Sequence, residues 1–297
     1  MFKFRLDNKG SAAVLLCFVI TGLLGFTALV VDVGSAYSER TKLSNALDSA
    51  ALAASLEIHN GEEKVKMVAL EYLKKNNVDP EEVQIITSSN SIEIKGLRNV
   101  EHFFAPIIGI DDSDVTANTK AIIGPVGAVR GGVRPFAVEI FDYVYGDQII
   151  LKADAGSGYK GNYKAIALGG TGANNFKENA LFGFTKTLSV GDWIPTETGN
   201  MAGATNDIKN YINSEVSSFD DFERDTIRLW TIPLVNTMEV NGRGEIQVVG
   251  FGQFYVEDVH NKGGKVEITG RFIRYVTNGI IDMDAPDTGT YAVKLSK

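Results

Sequence analysis

Residues 8–55 read NKGSAAVLLCFVITGLLGFTALVVDVGSAYSERTKLSNALDSAALAAS, and the architecture turns on how this stretch is read. Residues 12–31 are 20 positions without a charge. As a helix rising 1.5 Å per residue, they span about 30 Å, the hydrocarbon thickness of a bilayer. Asp32 closes the run, and no proline separates it from the segment beyond. Leu43, Ala46, Leu47, Ala50, Ala51 and Ala54 then recur at i, i+3, i+4 spacing, with Glu39, Arg40, Lys42, Asn45 and Asp48 on the other face. Alanine has the highest helix propensity, so this second half is expected to be helical before any packing helps. The reading is a transmembrane helix over 11–32 running into an Ala-rich stalk helix over 33–60. Ala46, Ala50 and Ala54, four residues apart, allow close helix packing, against another subunit or against the protein's own body.

Ahead of the run, Lys3, Arg5 and Lys9 outnumber Asp7. A basic flank stays on the cytoplasmic side, so residues 1–10 read as a cytoplasmic leader and the rest as extracytoplasmic. The expected location is the cell membrane, with a single pass. The alternative is a cleaved secretory signal, with Gly34 and Ala36 as its small-residue site; such signals have an apolar core of about 7–15 residues, shorter than this one. Asp32 reads either as an interfacial carboxylate reaching water or as an interface charge paired with a neighbouring subunit's cation or N-terminal amine. Cys17 is the sole cysteine. It excludes an intramolecular disulfide and a Cys-based zinc site, and reads as a small apolar residue facing lipid or a neighbouring helix.

Several short pieces now combine: Lys9-Gly10-Ser11-Ala12, then Leu29-Val30-Val31-Asp32-Val33-Gly34, Tyr37, and LSNALDSAALAA from Leu43. Together, in register over about residues 9–56, they resemble the N-terminal module of TadG-like proteins, in the TadE/TadG group of the Flp (tight adherence) pilus system. The resemblance implies a bitopic envelope protein that accompanies a type IV-like pilus machine, with pilus-assembly or pilin-like subunits as partners. It also raises processing between Gly10 and Ser11, since Gly10 fits the end of a prepilin-type leader. Leu15 stands at the fifth following position, where such substrates usually carry Glu. From the residues alone, Ser11 after a flexible Gly10 reads as a helix N-cap.

The remainder divides into a small α/β unit over 61–124 and a β-rich domain over 125–297, sandwich- or barrel-like, giving an α+β chain. In the first, Val65, Val68, Ala69, Tyr72 and Leu73 predict a helix ending before Pro80, VQIITSSNSIEIKG a hairpin around Ser88-Ser89-Asn90, VEHFFAPIIG a helix ended by Pro106 and Gly109, and VTANTKAII a strand. Gly124-Pro125 reads as the boundary. Beyond it, PFAVEIF, QIILKA, YKAIAL, KTLSV, TIRLWTIPLV, GEIQVVGFGQFYVEDV, KVEITGRFIRYV and TYAVKLS read as strands, and Thr205 as the cap of a short helix with Ile208, Tyr211, Ile212 and Val216 on one face. ALGGTGANNFKEN and VGDWIPTETGNMAGAT resemble the C-terminal domain of some TadG-like proteins, with Thr198 and Ala204 where those have prolines. A chain from 62 to 297 is expected to fold without the anchor.

Net charge is −8, and 26 basic and 35 acidic residues come after Asp32. An acidic body without a Lys/Arg cluster excludes nucleic acid as a partner. His59, His102 and His260 stand alone, with no pair at metal-ligand spacing. GGTGANNF lacks the third glycine of a dinucleotide loop and the Gly-Lys-Ser/Thr of a P-loop, so it reads as a turn. VGDW resembles a turn of Ser-Lys signal peptidases, but no nucleophile motif precedes it. VHN at 259–261 resembles the end of a self-splicing domain, yet Lys262 comes next where Ser, Thr or Cys is needed. Asp282, Asp284 and Asp287 read as a solvated acidic loop, since the spacing of an EF-hand fails. No catalytic, cofactor or metal residues are expected. The reading is a membrane-anchored, non-enzymatic Flp/Tad pilus-assembly or pilin-like surface protein. The alternative is a surface adhesin or ligand-binding module on a pilin-like anchor, and an exported hydrolase stands third. The sequence leaves any small-molecule ligand open.

Overall fold

The computed structural model of the chain describes residues 8–153, 161–197, 204–240, 244–262 and 265–296. Two compact units emerge, Met1–Ile122 with Leu295–Lys297, and Ile123–Lys294. The expected leader over residues 1–10 lies mostly outside the described residues, and Thr198 lies outside them too.

The first unit is built on α1, Asn8–Ser55, a single helix of 48 residues. A second helix, α2 (Glu62–Lys75), buries Val65, Ala69 and Leu73 and ends at Asn76. Asn77 then takes a left-handed φ of 57°, which asparagine tolerates better than most residues. A capping box between Asp79 and Glu82 leads into β1, Val83–Thr87. Strand β2 (Ser91–Glu101) pairs antiparallel with β1 and with β3, Asp112–Arg130. Ile92, Ile94 and Gly96 alternate on the buried face of β2. The second half of α1 and α2 pack together, and α1 also lies on β2. A Cβ on Gly96 would sit 3.1 Å from methyls of both Leu43 and Leu47. Glycine here lets the helix come down onto the sheet.

Two expectations for this unit change. The VEHFFAPIIG helix is instead the end of β2 followed by one 3-10 turn, Ala105–Ile108. Val100 continues the buried face of the strand, and Pro106 and left-handed Gly109 leave room for a single turn only. Gly124-Pro125 makes no turn, because both residues lie within β3. Pairing with β2 stops at Ile122, and β13 and β7 join β3 from Val126 onward.

The second unit contains β4 (Phe136–Glu139), β5 (Gln148–Ala153), β6 (Asn162–Ala165), β7 (Thr187–Ser189), β8 (Trp193–Pro195) and β9 (Leu229–Val235). After these come β10 (Glu245–Lys262), β11 (Lys265–Ile273), β12 (Tyr275–Val276), β13 (Gly279–Ile281) and β14 (Thr290–Ser296). The order β11-β5-β6-β4-β9-β10, with β10 pairing back to β11, closes a six-stranded barrel. Of the two expected forms, the barrel is the one adopted. Its core centres on Phe136, which stacks on Trp230 at 5.2 Å and meets Tyr163 and Phe176 edge-on. Helices α3 (Ala173–Phe182) and α4 (Thr205–Ile212) add Phe176, Ala180, Ile208 and Ile212 to that core. A second apolar cluster includes Val126, Val129, Leu188, Ile194, Val248 and Phe251, where the end of β3 pairs with β7 and β13.

Here too the structure corrects details. GGTGANNF runs into helix α3, so only its glycines form the turn. Thr205 lies inside α4 rather than capping it, and its buried hydroxyl has no hydrogen-bond partner among the described residues. Val216 lies beyond the end of α4, fully exposed.

Candidate functional site

The functional features gather along α1 and on the elements of the first unit that touch it. From residue 12 to 31 nearly every side chain of the helix is exposed, including Val14, Leu15, Phe18, Leu23, Phe26 and Val30. Among the described residues this is the one helix long and apolar enough to cross a membrane. Its two threonines are self-satisfied. Thr21 donates to the Cys17 carbonyl at 2.8 Å and Thr27 to the Leu23 carbonyl at 2.9 Å. Hydroxyls bonded within their own helix do not demand water, which suits a lipid setting. Cys17 is exposed on the same run.

Asp32 ends the apolar run, and only 3 % of it is exposed. Its carboxylate is taken up inside the chain, by backbone amides at the start of the Ala105–Ile108 turn. Oδ1 accepts from Phe103 N at 2.8 Å, and Oδ2 from Phe104 N at 3.0 Å and Ala105 N at 2.7 Å. The first amides of a helical turn have no partner within it, and an acidic side chain supplies one with favourable charge. Asp32 therefore caps a turn distant in sequence. Neither of its two expected uses, open water or a neighbouring subunit's cation, is the one made here.

The capped turn is unusually bare. Phe103, Phe104, Ile107, Ile108 and Ile110 are all exposed, Ile107 at 86 % and Ile108 at 75 %. Sequence reasoning assigned this apolar segment to a helix and so gave it no role. The available signal was nine mostly apolar residues containing Pro106 and Gly109, too interrupted for an amphipathic helix yet too apolar for an ordinary loop.

Below Asp32 the helix docks on its own unit. Leu43, Ala46, Leu47, Ala50, Ala51 and Ala54 are all buried. The residues assigned to the polar face also take part. Glu39 accepts from Arg98 Nη1 at 3.2 Å, Arg40 Nε donates to the Thr116 carbonyl at 3.2 Å, and Asp48 accepts from the Thr119 hydroxyl at 2.6 Å. Arg98 is the hub. It grips Glu82 through Nε at 2.7 Å and Nη2 at 2.8 Å, and Nη2 also reaches the Asn77 carbonyl at 2.8 Å. The Arg98 hydrogen bonds hold the Glu82 carboxyl below its ordinary value, and those from Lys42 and then Arg98 do the same for Glu39.

Gly10 and Ser11 lie within α1, which starts at Asn8, so Ser11 is not its N-cap. In the second unit, Arg134 is buried, donating to the Ala180 carbonyl at 3.1 Å and lying over Trp230, with no carboxylate paired to it among the described residues. Burial pushes its guanidinium down to about 10. Asp282 and Asp287 each accept from a backbone amide two residues on, Asp284 N and Gly289 N. Among the described residues no group of three His, Cys, Asp or Glu side chains is placed to hold a metal ion.

Residues 10–56 match the family model described as "Putative Flp pilus-assembly TadE/G-like". The match coincides with α1 almost end to end, so the N-terminal module of this chain is TadE/G-like. No curated protein and no solved structure matches the chain.

Proposed function

We propose that this is a single-pass, non-enzymatic membrane protein of a Flp/Tad-type pilus-assembly system, with the barrel unit presented on the extracytoplasmic side. The observation that carries the reading is the coincidence of the TadE/G-like match with one continuous helix. The first half of that helix is apolar and bare, and the second half is part of a folded body. Lys3, Arg5 and Lys9 before the run support the orientation, through the preference of basic flanks for the cytoplasm. Because the Ala46, Ala50 and Ala54 face is occupied by the protein's own unit, partners are expected to meet the apolar run instead. Photo-crosslinking residues at Leu16, Leu23 and Val30, set against Asn45, test this in cells that make the pilus. Adducts with pilin-like or assembly subunits through the run support the proposal. An absence of such adducts from all three positions, with the protein still in the membrane, would favour the adhesin reading.

A further inference from the structure

We infer that the Phe103–Ile110 segment is a second membrane contact, an apolar wedge that rests in the outer interfacial layer of the same bilayer α1 crosses. The inference rests on the anchor reading above and adds a specific surface and ligand class, the acyl–headgroup boundary of a phospholipid leaflet.

Three observations converge. The first is depth. Asp32 is the first charge after the apolar run, so it sits where hydrocarbon gives way to headgroups, and Phe103 N lies 2.8 Å from its carboxylate. The turn is thereby pinned at the membrane surface. The second is exposure. Phe103, Phe104, Ile107, Ile108 and Ile110 are open within their own unit, and clustered apolar side chains of this size mark a contact surface rather than a solvated loop. The third is backbone satisfaction. Asp32 takes the amides of residues 103–105, while Gly109 N and Ile110 N bond back to the Pro106 and Ala105 carbonyls. A segment entering the interface has to satisfy its amides internally, and this one does. Tyr37, exposed on α1 just past Asp32, is the aromatic type that favours the same layer.

Charge identifies the kind of lipid surface. Residues 101–114 contain Glu101, Asp111, Asp112 and Asp114 and neither Lys nor Arg. The contact is therefore driven by apolar area and needs no anionic lipid, unlike basic amphipathic anchors. Its strength should be insensitive to salt.

The experiment uses the full chain in phosphatidylcholine vesicles. A fluorophore on the native Cys17 reports the span, and one on Ile107→Cys in a Cys17→Ser background reports the turn. Ser89→Cys, on the exposed hairpin tip, is the aqueous reference. Nitroxide-labelled lipids carry the quencher either deep or shallow in the acyl chain. The expected result is quenching of the Cys17 probe by the deep label, and of the position-107 probe by the shallow label several-fold more than the position-89 probe. Loss of deep quenching at Cys17 would overturn the anchor reading itself. Quenching at Cys17 but at position 107 only the level seen at position 89 would overturn the wedge alone. A position-107 probe shielded from both lipid nitroxide and aqueous iodide would also overturn it, because a protein surface would then be covering the turn.

Discussion

Asp32 shows how one carboxylate can tie two distant segments together. Its three short bonds to consecutive amides are charge-assisted, and an asparagine there keeps the shape but turns an N–H₂ toward amides that need an acceptor. Asp32→Asn should cost about 1–3 kcal/mol, the penalty of half-buried donors left without an acceptor. The loss should appear as faster hydrogen exchange at Phe103, Phe104 and Ala105; unchanged protection would show that the cap contributes little. Arg98 makes a parallel case with a pH signature. Glu82 and Glu39 are held below their ordinary 4.5, so the stabilisation they provide is fully present above that pH and is lost as pH falls through their lowered values. Acid unfolding of Arg98→Met, followed by circular dichroism against the parent, should show a flatter loss of stability below about pH 4.5. An identical acid limb in both proteins would mean the network is energetically silent.

At the scale of the element, α1 is one helix in two environments, and packing against the first unit decides where the change falls. Ala50 is fully buried, so Ala50→Leu overfills a packed site and should cost about 1–3 kcal/mol. Asn45→Leu, on the exposed side, should stay within about 0.5 kcal/mol. The readout is the melting temperature of a chain from 33 to 297 at several concentrations. A drop that grows on dilution would indicate an intermolecular contact and contradict the docking seen here. Gly96→Val tests the other side of that contact, since its side chain would start 3.1 Å from Leu43 and Leu47 methyls. It too should lower the melting temperature, and the penalties of Gly96→Val and Ala50→Leu should not add, because both act on one interface.

For the whole molecule, the structure revises what the minimal folded chain is. A chain from 62 to 297 keeps the barrel residues but removes Leu43, Leu47, Ala50 and the other buried positions of α1. Without that helix the face of β2 exposes Ile92 and Ile94. The expectation that such a chain folds fully therefore gives way to a narrower one. A chain from 33 to 297 should protect amides in both units, whereas one from 62 to 297 should protect the barrel and lose protection in β1 and β2. Equal protection of β1 and β2 in the two chains would show that α1 is dispensable to the first unit.

Period and length made much of this architecture legible. A run of 20 apolar residues, an i, i+3, i+4 alanine face and alternating strands report directly on local structure, because each depends on side chains repeating along one element. The TadE/G-like module was legible for the same reason, being a continuous stretch whose signature residues lie close together. Closure of the barrel depended on β11 meeting β5 and β9 meeting β4, long-range pairings that strand patterns do not encode. The candidate site was less legible still. Asp32 reads as an interfacial charge until residues 103–105 are brought to it, and VEHFFAPIIG reads as a helix until β2 claims Val100 and Glu101 and proline and glycine confine the rest to one turn. Sequence determined that this chain has a membrane-length helix continuing into an amphipathic one. Tertiary structure decided that the alanine face is spent within the protein's own unit and that an apolar turn is carried at the end of the span, because burial and capping are settled by contacts between separate segments, the cap joining residues some 70 apart.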